Sequence, residues 1–218
     1  MNWKKLCCAA TIASGVASAQ IWEFGVVGGL GYAPNLSVRQ ASATASAGLG
    51  HGAAVGVYGG EDTYRHFGGE VRYLYSFGNL EASSNGASVR FGRRTHTIAG
   101  DILIYPRPTE SRVRPFLALG GGVEILDGTG RESAAQPLGQ FVALTHTRET
   151  LAVGDVGAGF KIALSEHLRL RIEAHDYAGP SPKKVIAPAP GASIGSFMNE
   201  IVGTISLAFA WSGRIEAR

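Results

Sequence analysis

The side chains in this sequence that can do catalytic chemistry do not stand at catalytic spacing. Residues 146–148 (His-Thr-Arg) precede Glu149, but no serine or cysteine nucleophile lies beside them. His175 and Asp176 are adjacent, and in a strand adjacent side chains point to opposite faces, which separates an acid–base pair. The six histidines lack the spacing of a metal site. The sequence therefore predicts no catalytic, cofactor-binding or metal-ligating residue, and a protein that is not an enzyme.

Most charged residues instead belong to segments with a strand-like period of two. In residues 167–175 the even positions are apolar and the odd positions are charged or histidine. A helix would mix these two sets, whereas a strand places them on opposite faces. Residues 199–211 repeat the pattern. Glycine, at 31 of 218 residues, is about twice its usual ~7% share and disfavours helix further.

Eight strand-like runs and their connections follow one order along the chain. The runs are 21–32, 45–58, 65–77, 88–105, 113–126, 150–164, 167–177 and 199–211. Long connections (33–44, 78–87, 127–149 and 178–198) alternate with shorter ones (59–64, 106–112 and 165–166). This alternation is expected when short turns face the periplasm and long loops face outward. The pattern predicts an all-β fold, an eight-stranded antiparallel up-and-down transmembrane β-barrel.

The first nineteen residues are typical of a secretory signal peptide. Lys4 and Lys5 precede an apolar stretch at 6–16, and Ala17-Ser18-Ala19 matches a small-residue cleavage site. We expect cleavage after Ala19, which leaves residues 20–218 as one barrel domain. Both cysteines are in the leader, so the mature chain would have no disulfide. The two lysines also supply most of the formal charge of +3, and the nearly neutral remainder gives no support for nucleic-acid binding.

Aromatic residues mark the edges of the predicted membrane-spanning part. Trp22 and Tyr32 share a face ten residues apart, as do Phe67 and Phe77. Ten residues of strand are about 33 Å long, and at a tilt of about 40° they cover roughly 25 Å, the height of the apolar band between the aromatic girdles of such barrels. Trp211 ends the last run at the predicted periplasmic edge.

The parity opposite the apolar face predicts a charged lumen. It places these residues inside: Glu23, Glu70, Arg72, Asp101, Glu124, Asp155, Lys161, Arg169, Arg171, Glu173 and Glu200. A charge at the lipid midplane would cost about 2–4 kcal/mol, and eight strands leave a lumen just wide enough to be filled by side chains. Glycines of the same parity would make room for long side chains: Gly25, Gly29, Gly68, Gly120, Gly122, Gly157 and Gly159. We interpret the charges as a paired network that plugs the lumen, with an ion path or binding site as the alternative.

Three segments resemble the small outer-membrane β-barrel family, the OmpA-like eight-stranded barrels. Residues 114–124 resemble its Pro-aromatic-glycine strand, and residues 153–161 and 167–177 resemble its glycine-rich strand and its Arg/Glu-alternating strand. The resemblance implies a location in the cell outer membrane of a Gram-negative-type envelope, in contact with the lipid bilayer, lipopolysaccharide and the outer-membrane assembly machinery. One departure is at the end of the chain, where seven residues follow Trp211.

The predicted role is structural, in envelope integrity, or a surface interaction through the loops 127–149 and 178–198. The second loop carries the basic pair Lys183-Lys184, which could contact anionic lipopolysaccharide. Two alternatives remain open. A secreted lipocalin-like carrier would reverse the faces and line a cavity with apolar residues. A barrel-embedded lipid A-modifying enzyme would need a nucleophile–base set.

Overall fold

A computed structural model describes residues 20–132 and 136–213. Eight long strands form the wall: β1 (Gln20–Tyr32), β3 (Ala43–Tyr64), β4 (Phe67–Ser84), β5 (Ala87–Ile104), β6 (Val113–Gly128), β8 (Arg148–Ala163), β9 (Leu168–Pro180) and β12 (Phe197–Gly213). Four short strands lie between them: β2 (Leu36–Gln40), β7 (Val142–Leu144), β10 (Ile186–Pro188) and β11 (Ser193–Ile194). The described residues include no helix that could cross a membrane. The predicted leader, 1–19, lies outside them and stays a prediction.

The eight long strands close into a ring. Each pairs antiparallel with its neighbours along the chain, and β1 pairs with both β3 and β12. Closure leaves no free sheet edge in the wall, so every strand satisfies its backbone hydrogen bonds against a neighbour. The predicted eight-stranded antiparallel barrel is therefore confirmed.

The connections at one end of the barrel, here called the turn end, are short. They are residues 65–66, 105–112 and 164–167. The predicted turn at 59–64 is wrong, because that segment belongs to β3 and the turn is at 65–66. At the opposite loop end the predicted long connection 78–87 is also wrong. It is the two-residue turn Asn85-Gly86, with φ of 47° and 82°. Positive φ at both central residues is the geometry of a tight hairpin with the twist of its strands.

The other loop-end connections fold into a compact structure, here called the cap. Loop 129–147 contains β7, which pairs with β10 of loop 181–196, and β11 of that second loop pairs with β2. The cap shares a fully buried apolar cluster with the ends of the wall strands: Val38, Leu49, Leu80, Leu126, Leu138, Phe141, Val142, Leu144, Val185 and Ile186 are among its members. The loops are thus shorter than the predicted 127–149 and 178–198, and their apolar residues pack with those of the wall strands in one cluster.

The outer surface of the wall carries the predicted apolar band. The girdle residues Trp22, Tyr32, Phe67, Phe77 and Trp211 are all at least two-fifths exposed. Trp22 and Trp211 are direct cross-strand partners next to the turn end, as a girdle at that edge requires. The apolar residues face outward and the charged residues inward, so the lipocalin-like alternative, with its reversed faces, is wrong.

Candidate functional site

The lumen of the barrel is the candidate site, because it gathers most of the buried charge of the described chain. The eleven residues that parity assigned to the interior lie there, ten of them buried and Arg169 partly exposed. Alternation in the wall strands positions them, since each lumen residue is flanked along its strand by residues that face outward. Three regions of the lumen differ in how the charges are paired.

At the turn end, Asp62 is the centre of an ionic cluster. Its carboxylate accepts hydrogen bonds from Arg114 at 2.6 Å and from the Tyr105 hydroxyl at 2.7 Å, and it lies 3.3 Å from Lys161 Nζ. Lys161 also donates to Glu23 at 2.5 Å. The Arg114 guanidinium stacks on the Tyr105 ring, 3.3 Å from its centroid. Each cation here has an anionic partner, which removes most of the cost of burying it.

In the middle of the lumen, two arginines and two glutamates form a closed ring. Arg72 contacts Glu70 and Glu173, both at 2.8 Å, and Arg171 contacts the same two carboxylates at 2.7 and 2.5 Å. All four side chains are at most 1% exposed. This group, here called the Arg–Glu ring, joins residues of β4 and β9 across the lumen. It can hold the wall together electrostatically and obstruct the lumen.

A third region, nearer the loop end, is rich in carboxylates. His175 contacts Asp155 through Nδ1 at 2.9 Å, and its Nε2 lies 3.5 Å from Glu173. Asp101 is buried, and neither of its carboxylate oxygens has a hydrogen-bond partner. Glu124 accepts only a long hydrogen bond, 3.3 Å, from Thr97. Among the described residues, no lysine or arginine lies within 4 Å of Asp101, Asp155 or Glu124. The Asp62 cluster and the Arg–Glu ring differ in this respect, because each of them contains such ion pairs.

Above this region Arg93 ends the charged part of the lumen. It donates to Glu200 at 2.7 Å and to Thr95 at 2.9 Å. The apolar cluster of the cap follows toward the loop end, where the buried carboxylate of Glu149 accepts the backbone N–H of Lys184.

Sequence reasoning missed four members of this site. Asp62 was assigned to a turn, and Arg93 and Arg114 were not assigned to the lumen. Parity along the strand indicates their position. Arg93 lies on the same face of its strand as Thr97 and Asp101, and Arg114 lies on the same face as Glu124. For His175 the sequence predicts the charged face of its strand and no pairing with Asp176, but it names no partner. Those two do point to opposite faces, as predicted, but His175 meets Asp155 on the neighbouring strand.

The predicted glycines do make room, although not always for Arg or Glu. A β-carbon on Gly159 would lie 2.6 Å from Glu173 Cβ, and one on Gly157 would lie 2.7 Å from the His175 ring. A β-carbon on Gly120 would collide with the Asp101 carboxylate. Gly25 instead accommodates the Tyr58 ring.

The residues weighed for catalysis in the loop are not brought together. The backbone N–H of His146 donates to the Glu132 carboxylate, and the His146 ring lies 3.2 Å from the Gly130 carbonyl oxygen through Nδ1. The Glu149 carboxylate instead accepts the backbone N–H of Lys184 at 2.8 Å. Lys183 and Lys184 are exposed, as predicted. The arrangement at this end supports the cap and not a nucleophile–base pair.

Comparison with known proteins agrees with this architecture. The family described as "Outer membrane protein beta-barrel domain" matches residues 6–182. Neisserial surface protein A superposes with a TM-score of 0.53 at 9% identity, over 87% of this chain and 96% of its own. Ail, the attachment invasion locus protein of Yersinia pestis, gives 0.46 at 7% identity, over 87% and 98% of the two chains. At 9% identity the likeness to Neisserial surface protein A is one of fold. No curated protein sequence matches the chain.

Proposed function

This chain belongs to the outer membrane protein beta-barrel domain family, and on that premise we propose that it is a closed, non-enzymatic barrel that serves envelope integrity or surface contact. The observation that carries the proposal is the Arg–Glu ring across the middle of the lumen. An ion would have to displace paired charges to pass, and the paired charges have no exposed face on which to rebind water. Beyond the ring, the apolar cluster of the cap offers ions no polar path.

Planar-bilayer recording tests the closed lumen. The purified protein should give small and rare openings, because the ring leaves no continuous water path. A variant in which Glu70, Arg72, Arg171 and Glu173 are all replaced by serine removes the ring without leaving an orphan charge. Its openings should be larger and more frequent than those of the unaltered protein but should not become steady, because the apolar cluster of the cap remains. Large porin-like currents from the unaltered protein would contradict the proposal.

The surface-contact part of the proposal rests on the cap. Lys183 and Lys184 are exposed, while the next residues, Val185 and Ile186, are fully buried in the apolar cluster. The cluster therefore fixes two cations on a rigid surface, where they can contact anionic lipopolysaccharide. The double substitution Lys183→Gln and Lys184→Gln should weaken binding to lipopolysaccharide micelles. Equal binding would leave the cap without this partner.

The absence of an enzymatic role is likewise part of the proposal, supported by the separation of His146 from Glu149. Mass spectrometry of lipid A from cells with and without the gene should give the same spectrum. A mass change that depends on the gene would establish the alternative, a lipid A-modifying enzyme. For delivery to the membrane we infer the general outer-membrane assembly machinery, with Trp211 in β12 as the aromatic nearest the end of the last strand.

A further inference from the structure

The carboxylate-rich region of the lumen has a geometry that its own cations do not account for. Asp101 and Asp155 flank Gly120 in the strand register, one on β5 and the other on β8. Gly120 has no side chain, so the Asp101 carboxylate leans over its backbone. His175 fills the corresponding space over Gly157 and contacts Asp155. One ligand atom from each of Asp101, Asp155 and His175 can be chosen so that all lie within 4.8 Å of one another.

Asp101 is the residue that lacks a partner. The residue is 5% exposed, and both carboxylate oxygens are buried without a hydrogen-bond donor. An unpaired buried carboxylate is one of the most destabilising groups a protein can hold. The Tyr177 hydroxyl, in the strand position opposite Asp155, is also buried without a partner. Both orphaned groups face the same part of the lumen, where His175, when protonated, is the one cationic side chain of the described residues that contacts Asp155, and no lysine or arginine pairs with either aspartate.

We propose that Asp101, Asp155 and His175 bind a divalent transition-metal cation inside the barrel. Two carboxylate oxygens and one imidazole nitrogen form a donor set suited to ions such as Zn²⁺ or Mn²⁺, since imidazole favours the former and carboxylates accept both. The ion neutralises the two carboxylates that no arginine or lysine reaches. Binding requires His175 to be neutral, so its Nδ1 gives up any proton to solvent when that nitrogen ligates the ion.

The surroundings of His175 fit this assignment. Histidine ligands of metals usually donate their second N–H to a carboxylate, which fixes the orientation of the ring. Nε2 of His175 lies 3.5 Å from Glu173 Oε2, so Glu173 is placed for that role. Glu70, Glu173 and His175 form a second group close enough to bind a metal. The two glutamates of that group are already neutralised by Arg72 and Arg171, which makes it the weaker candidate.

The test is metal retention by the folded protein. Protein isolated from outer membranes is unfolded in urea with EDTA, refolded into detergent micelles with ZnCl₂ or MnCl₂, desalted, and analysed for metal by mass spectrometry. Folding is verified by heat-modifiable gel migration. We expect about one metal ion per chain, and X-ray absorption should show only nitrogen and oxygen in the first coordination shell.

Matched variants locate the ion. Asp101→Asn keeps the shape of the side chain but removes its charge, and it should weaken metal binding at least tenfold. Glu124→Gln alters another buried carboxylate without a cationic partner, and it should bind the metal as the unaltered protein does. Metal-free folded wild-type protein, or equal metal binding by Asp101→Asn, would overturn the proposal. The first of these results, together with greater stability of Asp101→Asn, would mean that Asp101 and Asp155 share a proton instead. A metal-free unaltered protein overturns the proposal without any variant, and if Asp101→Asn fails to fold, Asp155→Asn takes its place with the same expected loss of metal binding.

Discussion

Arg171 in the lumen and Leu144 in the cap are both completely buried, yet they are buried in opposite surroundings. Arg171 is held between two carboxylates in the Arg–Glu ring, inside a wall whose apolar side faces lipid. Leu144 lies in an apolar cluster. At this level of the barrel, on the loop side of the aromatic girdle, the outward residues of the wall strands are polar and include Asn79, Ser83 and Arg90. The difference follows from the solvent around each part. A wall in lipid turns its apolar residues outward, whereas a structure in water turns them inward.

The largest effect should come from leaving an orphan charge in the lumen. Arg171→Met removes one cation from the Arg–Glu ring, and breaking a buried ion pair in this way costs about 3–5 kcal/mol. The free energy of unfolding in urea, measured in detergent micelles, should fall by about that amount.

Arg169→Met on the same strand is the matched control for that experiment. Its contacts with Glu23 and Asp62 are long, 4.0 and 3.7 Å, and its side chain is more exposed, so a cost of about 1 kcal/mol or less is expected. Equal costs for the two variants would show that the ring is not the electrostatic centre of the lumen.

In the cap, the corresponding change is the loss of apolar volume. Leu144→Ala should cost about 2–5 kcal/mol of local stability, and the cost should open the cap without unfolding the wall. Protease added to intact cells should then cut within 129–147 or 181–196, while heat-modifiable migration is retained. Ala143→Ser, at the partly exposed neighbouring position, should leave the cap resistant. Global unfolding by Leu144→Ala would mean that the cap and the wall form one cooperative unit.

The smallest effect should come from the loop-end turn, which belongs to neither interior. Gly86 has a φ of 82° and nothing within 4 Å of the place of a β-carbon, so Gly86→Ala meets only backbone strain, about 1 kcal/mol. Gly28 also has free space and no positive φ, and Gly28→Ala is the control. The free energy of unfolding of both variants is measured in detergent micelles. If it falls as much for Gly28→Ala as for Gly86→Ala, the turn is not the source of the strain.

The sequence by itself determined the wall. Its period of two assigned the faces of the strands, and lipid on the outside makes that assignment physically necessary, so the girdle residues and the eleven predicted lumen charges lie as expected. Asn85-Gly86 was also a readable hairpin signal, although the small and polar residues around it suggested a loop.

The tertiary structure alone decided the pairing and the cap. Which carboxylate meets Arg171, and that His175 meets Asp155 and not its chain neighbour, depends on strand register, and register aligns residues that are distant in sequence. The cap core joins residues of three loops with the ends of wall strands, and each loop by itself shows no period. Side-chain alternation is a local property of one strand, whereas contacts across the lumen and within the cap arise only when the ring has closed.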